Sequence, residues 1–207
     1  MLNDSFLSKT LGMTPSVTVM VVNLFYHNPS VLDVHGFGYL LPRSLPLEQN
    51  PEAALGVVFD TDATLGQDAV PGTKITVMLG GHWWSMWDDY PDEERGAHMA
   101  KSVLKRHLGI EEEPGAIRVS LQKDCIPQYL VGHDDRMTAI SGALETAYQG
   151  KLTVAGSSYT GVGVNDCVRA ARDVVSGIVN GTAKTGLESF VNGRPWTWVQ
   201  RGVATLT

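Results

Sequence analysis

Apolar residues come in short blocks along the first half of the chain. Ser16–Tyr26, SVTVMVVNLFY, is rich in β-branched residues and predicts a strand that is largely buried. The run is much shorter than the roughly 20 residues of a membrane-spanning helix. Asn28-Pro29 then signals a turn. The segment from Gly36 to Pro42, GFGYLLP, sets an aromatic between two glycines and predicts backbone that approaches something closely. Leu55–Asp60 and Lys74–Leu79 predict two more strands. The second is entered through Pro71-Gly72 and ended by Gly80-Gly81.

The period then changes. Pro91-Asp-Glu-Glu places acids where a helix dipole favours them, and Lys101, Lys105 and Arg106 fall late in the same segment. A helix is predicted to Leu108, with Gly109 as its stop. Ile117–Gln122 alternates and predicts a strand, which Ile126-Pro-Gln-Tyr129 interrupts. Asp134–Gln149 predicts a helix ended by Gly150, and Leu152–Ala155 a short strand. The last predicted helix runs from about Asn165 to Val179, with Val168, Ala171, Val175 and Ile178 along one face. Residues 181–207 show weak periodicity and read as an appended or partly disordered tail. The order predicts a mixed α/β (α+β) unit with no early strand–GxGxxG–helix element.

Composition removes several function classes. The net charge of -6 argues against a nucleic-acid surface, and no Lys/Arg block forms a polybasic membrane patch. The N-terminus lacks the basic and apolar regions of a signal peptide. Two cysteines, Cys125 and Cys167, exclude a disulfide scaffold and a Cys-x-x-Cys metal pair. Histidines 27, 35, 82, 98, 107 and 133 show no ligand spacing, so no metal is expected. Trp83, Trp84 and Trp87 read as packing under a loop before any cofactor-stacking role.

The densest chemistry lies in Leu152–Arg172, LTVAGSSYTGVGVNDCVRAAR. Gly156, Gly161 and Gly163 keep a turn bare beside a helix start, where unpaired N–H groups and a partial positive charge can receive an electron-rich ligand. The same pattern also fits a plain turn with Asn165 as a cap.

The run from Ala155 to Cys167, AGSSYTGVGVNDC, resembles the C-terminal flavin-contacting motif of protoporphyrinogen oxidases. Gly36–Pro42, Thr76–Gly81 (TVMLGG) and Lys123–Tyr129 (KDCIPQY) resemble that family too, in the same order. The resemblance covers roughly residues 16–180 and concerns the C-terminal part of the family. It implies a partial FAD-linked amine-oxidase-like fold: a substrate-domain sheet plus the C-terminal strand–turn–helix of the FAD domain. The implied division is a segment at 1–15, a partial substrate domain at 16–149, an FAD-domain element at 150–180 and a tail at 181–207.

The implied activity is oxidation of protoporphyrinogen IX to protoporphyrin IX with FAD and molecular oxygen, giving hydrogen peroxide, in haem biosynthesis. Ser157, Val162, Gly163 and Val164 match flavin-contacting positions. Phe37, Gly38, Leu40, Val58 and Met78 match positions lining the porphyrin pocket. Val58 and Met78 are equally residues of a plain strand core. No side chain is nominated as a catalytic base, because the flavin carries the redox chemistry. Eukaryotic members imply a mitochondrial inner-membrane location and a homodimeric parent.

The sequence departs from the family where Gly161-x-Gly163 lacks a third glycine, and no strand–GxGxxG–helix unit is present to hold the FAD pyrophosphate. The family's membrane-binding helical region, with its arginine for a substrate carboxylate, is also unmatched, as is Arg194–Trp198. The expectation is a chain that is inactive alone and exposes apolar surface. The alternatives are a non-catalytic porphyrin- or partner-binding module and a related flavin amine oxidase, the latter disfavoured by Cys125–Tyr129.

Overall fold

The computed structural model describes residues 5–66, 68–87 and 89–192; Arg194–Trp198 lie outside them. The elements are α1 (Ser5–Leu11), β1 (Ser16–Tyr26), β2 (Gly38–Leu40), β3 (Ala54–Phe59), α2 (Asp60–Ala63), β4 (Thr73–Gly80), α3 (Glu93–Leu108), β5 (Ala116–Pro127), α4 (His133–Tyr148), α5 (Val164–Val179) and α6 (Glu188–Val191). Short 3-10 turns occupy Leu47–Gln49 and Gly81–Met86. The chain divides into two compact units, residues 17–125 and residues 1–16 with 126–207.

The first of these units is a five-stranded sheet in the order β2-β3-β4-β1-β5, with antiparallel β2/β3, β3/β4 and β1/β4 pairs. Strand alternation sorts the side chains. Met20, Val22, Leu24 and Tyr26 of β1 meet Leu79, Val77, Ile75 and Thr73 of β4, and Val57 and Phe59 extend the same face. All but Thr73 belong to one buried cluster with Met99, Ala100, Val103 and Leu104 of α3. That helix has the caps its sequence predicts. The Asp92 carboxylate accepts the Arg95 N–H at 2.8 Å, and Gly109 closes the helix in the left-handed region at φ 69. Gly96 lets it approach β1, since a Cβ there would stand 2.2 Å from Met20 Sδ. Buried Asn50 bonds both the N–H and the C=O of Ala54 at 2.9 Å, which pins the start of β3.

The second unit packs α1, α4 and α6 around Leu7, Met137, Ile140, Leu144 and Leu187, with Leu152, Val154, Tyr159 and Phe190 at the edge. The strand predicted at 152–155 does not form. Among the described residues of this unit no strand pairs with it, and Val154 N–H donates instead to Thr185 O at 2.9 Å. α1 and α6 answer no sequence prediction. Their seven and four residues are too few to show a helical period.

α5 forms where predicted, but its apolar stripe is uncovered. Val168, Val175 and Ile178 are 53, 60 and 53% exposed, and Gly177 is the one buried residue of the helix. Periodicity reveals an apolar face and says nothing of what covers it.

Truncating one side of each apolar face separates the two cases. Leu104→Ala, inside the α3–sheet core, is expected to cost about 2–5 kcal/mol in urea unfolding. The double change Val175→Gln, Ile178→Gln should stay within about 0.5 kcal/mol. Equal losses would contradict the exposed face of α5.

Candidate functional site

The register that builds the core also orders the opposite face of the sheet. One row runs Leu40, Gly56, Met78, Val21 and the adjoining row Gly38, Val58, Thr76, Asn23, each pair set by cross-strand partners. Gly38, Leu40, Val58 and Met78, from three strands, therefore share one surface. Leu40 lies over Gly56, where a Cβ would meet its Cδ2 at 2.8 Å, and is itself 77% exposed. Val58 and Met78 are half-buried and stand outside the α3-facing core cluster. Phe37, 73% exposed, precedes this strand, and its carbonyl accepts the Phe59 N–H at 3.0 Å.

Gly38 has a cause internal to the sheet. Its φ is +135, and a Cβ would fall 2.1 Å from the Val57 carbonyl oxygen. Bare backbone at this position is thus required by strand pairing, whatever ligand lies above it.

Sequence reasoning missed the polar half of this face. Asn23 Nδ2 donates to Thr76 Oγ1 at 2.7 Å, and the Thr76 hydroxyl donates to Asp60 Oδ2 at 2.7 Å. The signal was present as single polar residues interrupting apolar strands at Asn23 and Thr76. This polar chain borders a cleft of about 470 Å³ that also reaches Phe25, Lys74 and Arg118. Beside it, Asp62 Oδ2 accepts the Gly36 N–H at 3.0 Å and meets His35 Nδ1 at 3.1 Å, anchoring the segment that carries Phe37. The Gly36 amide first, then His35, holds the Asp62 carboxyl below its usual value.

The glycine bend belongs to the other unit. Gly163 caps α5 without any side-chain acceptor for the first-turn amides. Val162 and Val164 point outward, 47 and 80% exposed. Asp166 fills the space on the bare side of Gly161, where a Cβ would lie 2.5 Å from Asp166 Cβ. Ser157 contributes through its backbone, its carbonyl accepting the Tyr129 hydroxyl. One residue after that carbonyl's neighbour, His133 Nε2 donates to Tyr159 O at 2.8 Å. Tyr129 and His133 are stacked, with centroids 4.0 Å apart and planes at 13°. Burial pushes the Tyr129 hydroxyl pKa up, and the Gly161 amide opposes that shift. The sequence offered Tyr129 inside a motif without a role, and His133 as one of several scattered histidines. Among the described residues no His, Cys, Asp and Glu cluster could hold a metal ion, and no helix is long and apolar enough to cross a membrane.

No family model matches the chain. A protoporphyrinogen oxidase of Schizosaccharomyces pombe is 36% identical over 159 residues, which is 75% of this chain and 31% of the relative. The Homo sapiens protoporphyrinogen oxidase is 37% identical, covering 84% of this chain and 36% of its own length. The chain is a relative of the protoporphyrinogen oxidases. It spans about a third of the length of those it matches. A Bacillus subtilis coproporphyrinogen III oxidase is 37% identical over 73 residues only. A solved structure from Exiguobacterium sp. 255-15, described as a candidate protoporphyrinogen oxidase, superimposes with a TM-score of 0.68. It shares 23% identity and covers 87% of this chain and 38% of its own, so it shows the shared fold.

The Asp62 anchor is expected to titrate. Its folded pKa is depressed, so the contact is complete above the ordinary value of 3.8 and is lost as pH falls through the lower folded value. The Gly36 amide resonance should move with a midpoint below 3.8 in NMR, and Asp62→Asn should abolish the step. A midpoint at or above 3.8 would contradict the anchor.

Proposed function

We propose that this chain supplies the substrate-facing sheet and the closing flavin element of an oxidase that converts protoporphyrinogen IX to protoporphyrin IX. FAD, when bound, would accept a hydride equivalent per round from the substrate, and molecular oxygen would return it to the oxidised form with release of hydrogen peroxide. The chain's own residues bind and orient. Leu40, Val58 and Met78 present a wide apolar surface to a flat macrocycle, and the Met78 thioether adapts to a ring edge. Phe37 and Gly38 border that surface. In the other unit, the backbone of Ser157, Val162, Gly163 and Val164 is the proposed flavin contact, and the α5 N-terminus favours an electron-rich ring.

The observation that carries this reading is the cross-strand register. It gathers Gly38, Leu40, Val58 and Met78, scattered over some forty residues of sequence, onto one face of one sheet. The names of the relatives support the substrate class. Two features of the glycine bend support a flavin: Gly163 gives the α5 N-terminus no side-chain cap, and the space beside Gly156 is open.

A second reading follows from the uncovered stripe of α5. The chain could be a non-catalytic module that binds a porphyrin or a protein partner. A related flavin amine oxidase activity is a third, weaker reading, with Cys125–Tyr129 against it.

Purified alone, the 207-residue chain is expected to carry no stoichiometric flavin after gel filtration. Co-expressed with the portion of the Schizosaccharomyces pombe relative that the match leaves uncovered, it should retain FAD and generate porphyrin fluorescence from protoporphyrinogen IX. Porphyrin binding without restored oxidation would favour the second reading. No flavin and no oxidation in the co-expressed pair would contradict the first.

A further inference from the structure

A trans peptide unit points its C=O and its N–H in opposite directions. Tying down a carbonyl therefore aims the following amide. In the glycine bend two alternate carbonyls are tied, that of Ser157 by the Tyr129 hydroxyl and that of Tyr159 by His133 Nε2. The two rings are parallel and in contact, so both anchors pull from the same side. The amides that follow, Ser158 N–H and Thr160 N–H, are thereby turned to the other side. Among the described residues neither donates a hydrogen bond, although the intervening Tyr159 N–H donates to Gly156 O at 3.2 Å. Both residues are half-buried, and their amides are left available to a ligand.

His133 is committed to this task. It is 4% exposed, Nε2 carries the proton it gives to Tyr159, and buried Nδ1 has no hydrogen-bond partner among the described residues. The Phe190 ring meets it edge-on at 6.0 Å, and Tyr129 covers one face. A histidine so enclosed, with one nitrogen left without a partner, is held for what its other nitrogen does.

We propose that Tyr129 and His133 are positioning residues of the flavin seat, which present the amides of Ser158 and Thr160 as a pair of donors to an electron-rich group of the ligand. The inference rests on the flavin reading of the bend. It gives the segment Ile126-Pro-Gln-Tyr129 a purpose, since the chain leaving β5 at Pro127 delivers the Tyr129 hydroxyl to the bend. Donors aimed in advance stabilise the reduced ligand more than the oxidised one, because reduction adds negative charge.

The test uses the chain co-expressed with the complementary portion of the Schizosaccharomyces pombe relative, and FAD as the probe. Tyr129→Phe keeps the stacked ring and removes the anchor. It is expected to weaken FAD binding about five- to tenfold, as loss of one aimed hydrogen bond would. It should also shift the flavin reduction potential to a more negative value, with thermal unfolding of the flavin-free chain little changed. His133→Phe should act in the same direction, and His133→Gln, whose side-chain amide restores a donor, should recover most of the loss. Unchanged affinity and potential in Tyr129→Phe and His133→Phe would overturn the positioning role while leaving the flavin reading intact. Failure of the unsubstituted pair to bind FAD would overturn the flavin reading itself, and this inference with it.

Discussion

Eight consecutive pairs join β1 to β4, from Val19 opposite Gly80 to Tyr26 opposite Thr73. Because side chains alternate along a strand, that register decides two things at once. It sends Met20, Val22 and Leu24 with Ile75, Val77 and Leu79 against α3, and it sends Val21, Asn23, Thr76 and Met78 to the other face. A slip of one residue would exchange the two sets. The core and the proposed substrate face are therefore one constraint seen from two sides. The same face is half apolar, at Leu40, Val58 and Met78, and half polar, along Asn23, Thr76 and Asp60.

Most of this architecture was legible where local signals agree with tertiary packing. β1 begins and ends at the residues its β-branched run predicts. α3 starts after Asp92 and stops at Gly109 because its caps, dipole charges and apolar period all point to one answer. Legibility failed where structure depends on a partner. Leu152–Ala155 has strand composition, but among the described residues no strand neighbours it and its backbone bonds instead to Thr185. The stripe of α5 was visible as a period, whereas its exposure could not be read from the period alone.

The site shows the same division. The family resemblance picked out Leu40, Val58 and Met78, and the sheet register supplies a physical reason for grouping them. By resemblance Gly38 lines the porphyrin pocket, yet the Val57 carbonyl alone already demands glycine there. Tyr129 and His133 were invisible as a pair, because an anchor to a backbone carbonyl leaves no mark of spacing or charge in a sequence. Asn23 and Thr76 left a mark, a polar residue inside an apolar strand, which alternation could have converted into a shared face.

The central claim is that the face opposite α3 receives the tetrapyrrole. Titrating protoporphyrin IX into the methyl-labelled chain, followed by NMR, tests it most directly. The account predicts ring-current shifts at the methyls of Leu40, Val58 and Met78, with those of Met99, Val103 and Leu104 unmoved. Shifts confined to the α3 side, or to the α5 stripe at Val168, Val175 and Ile178, would contradict it.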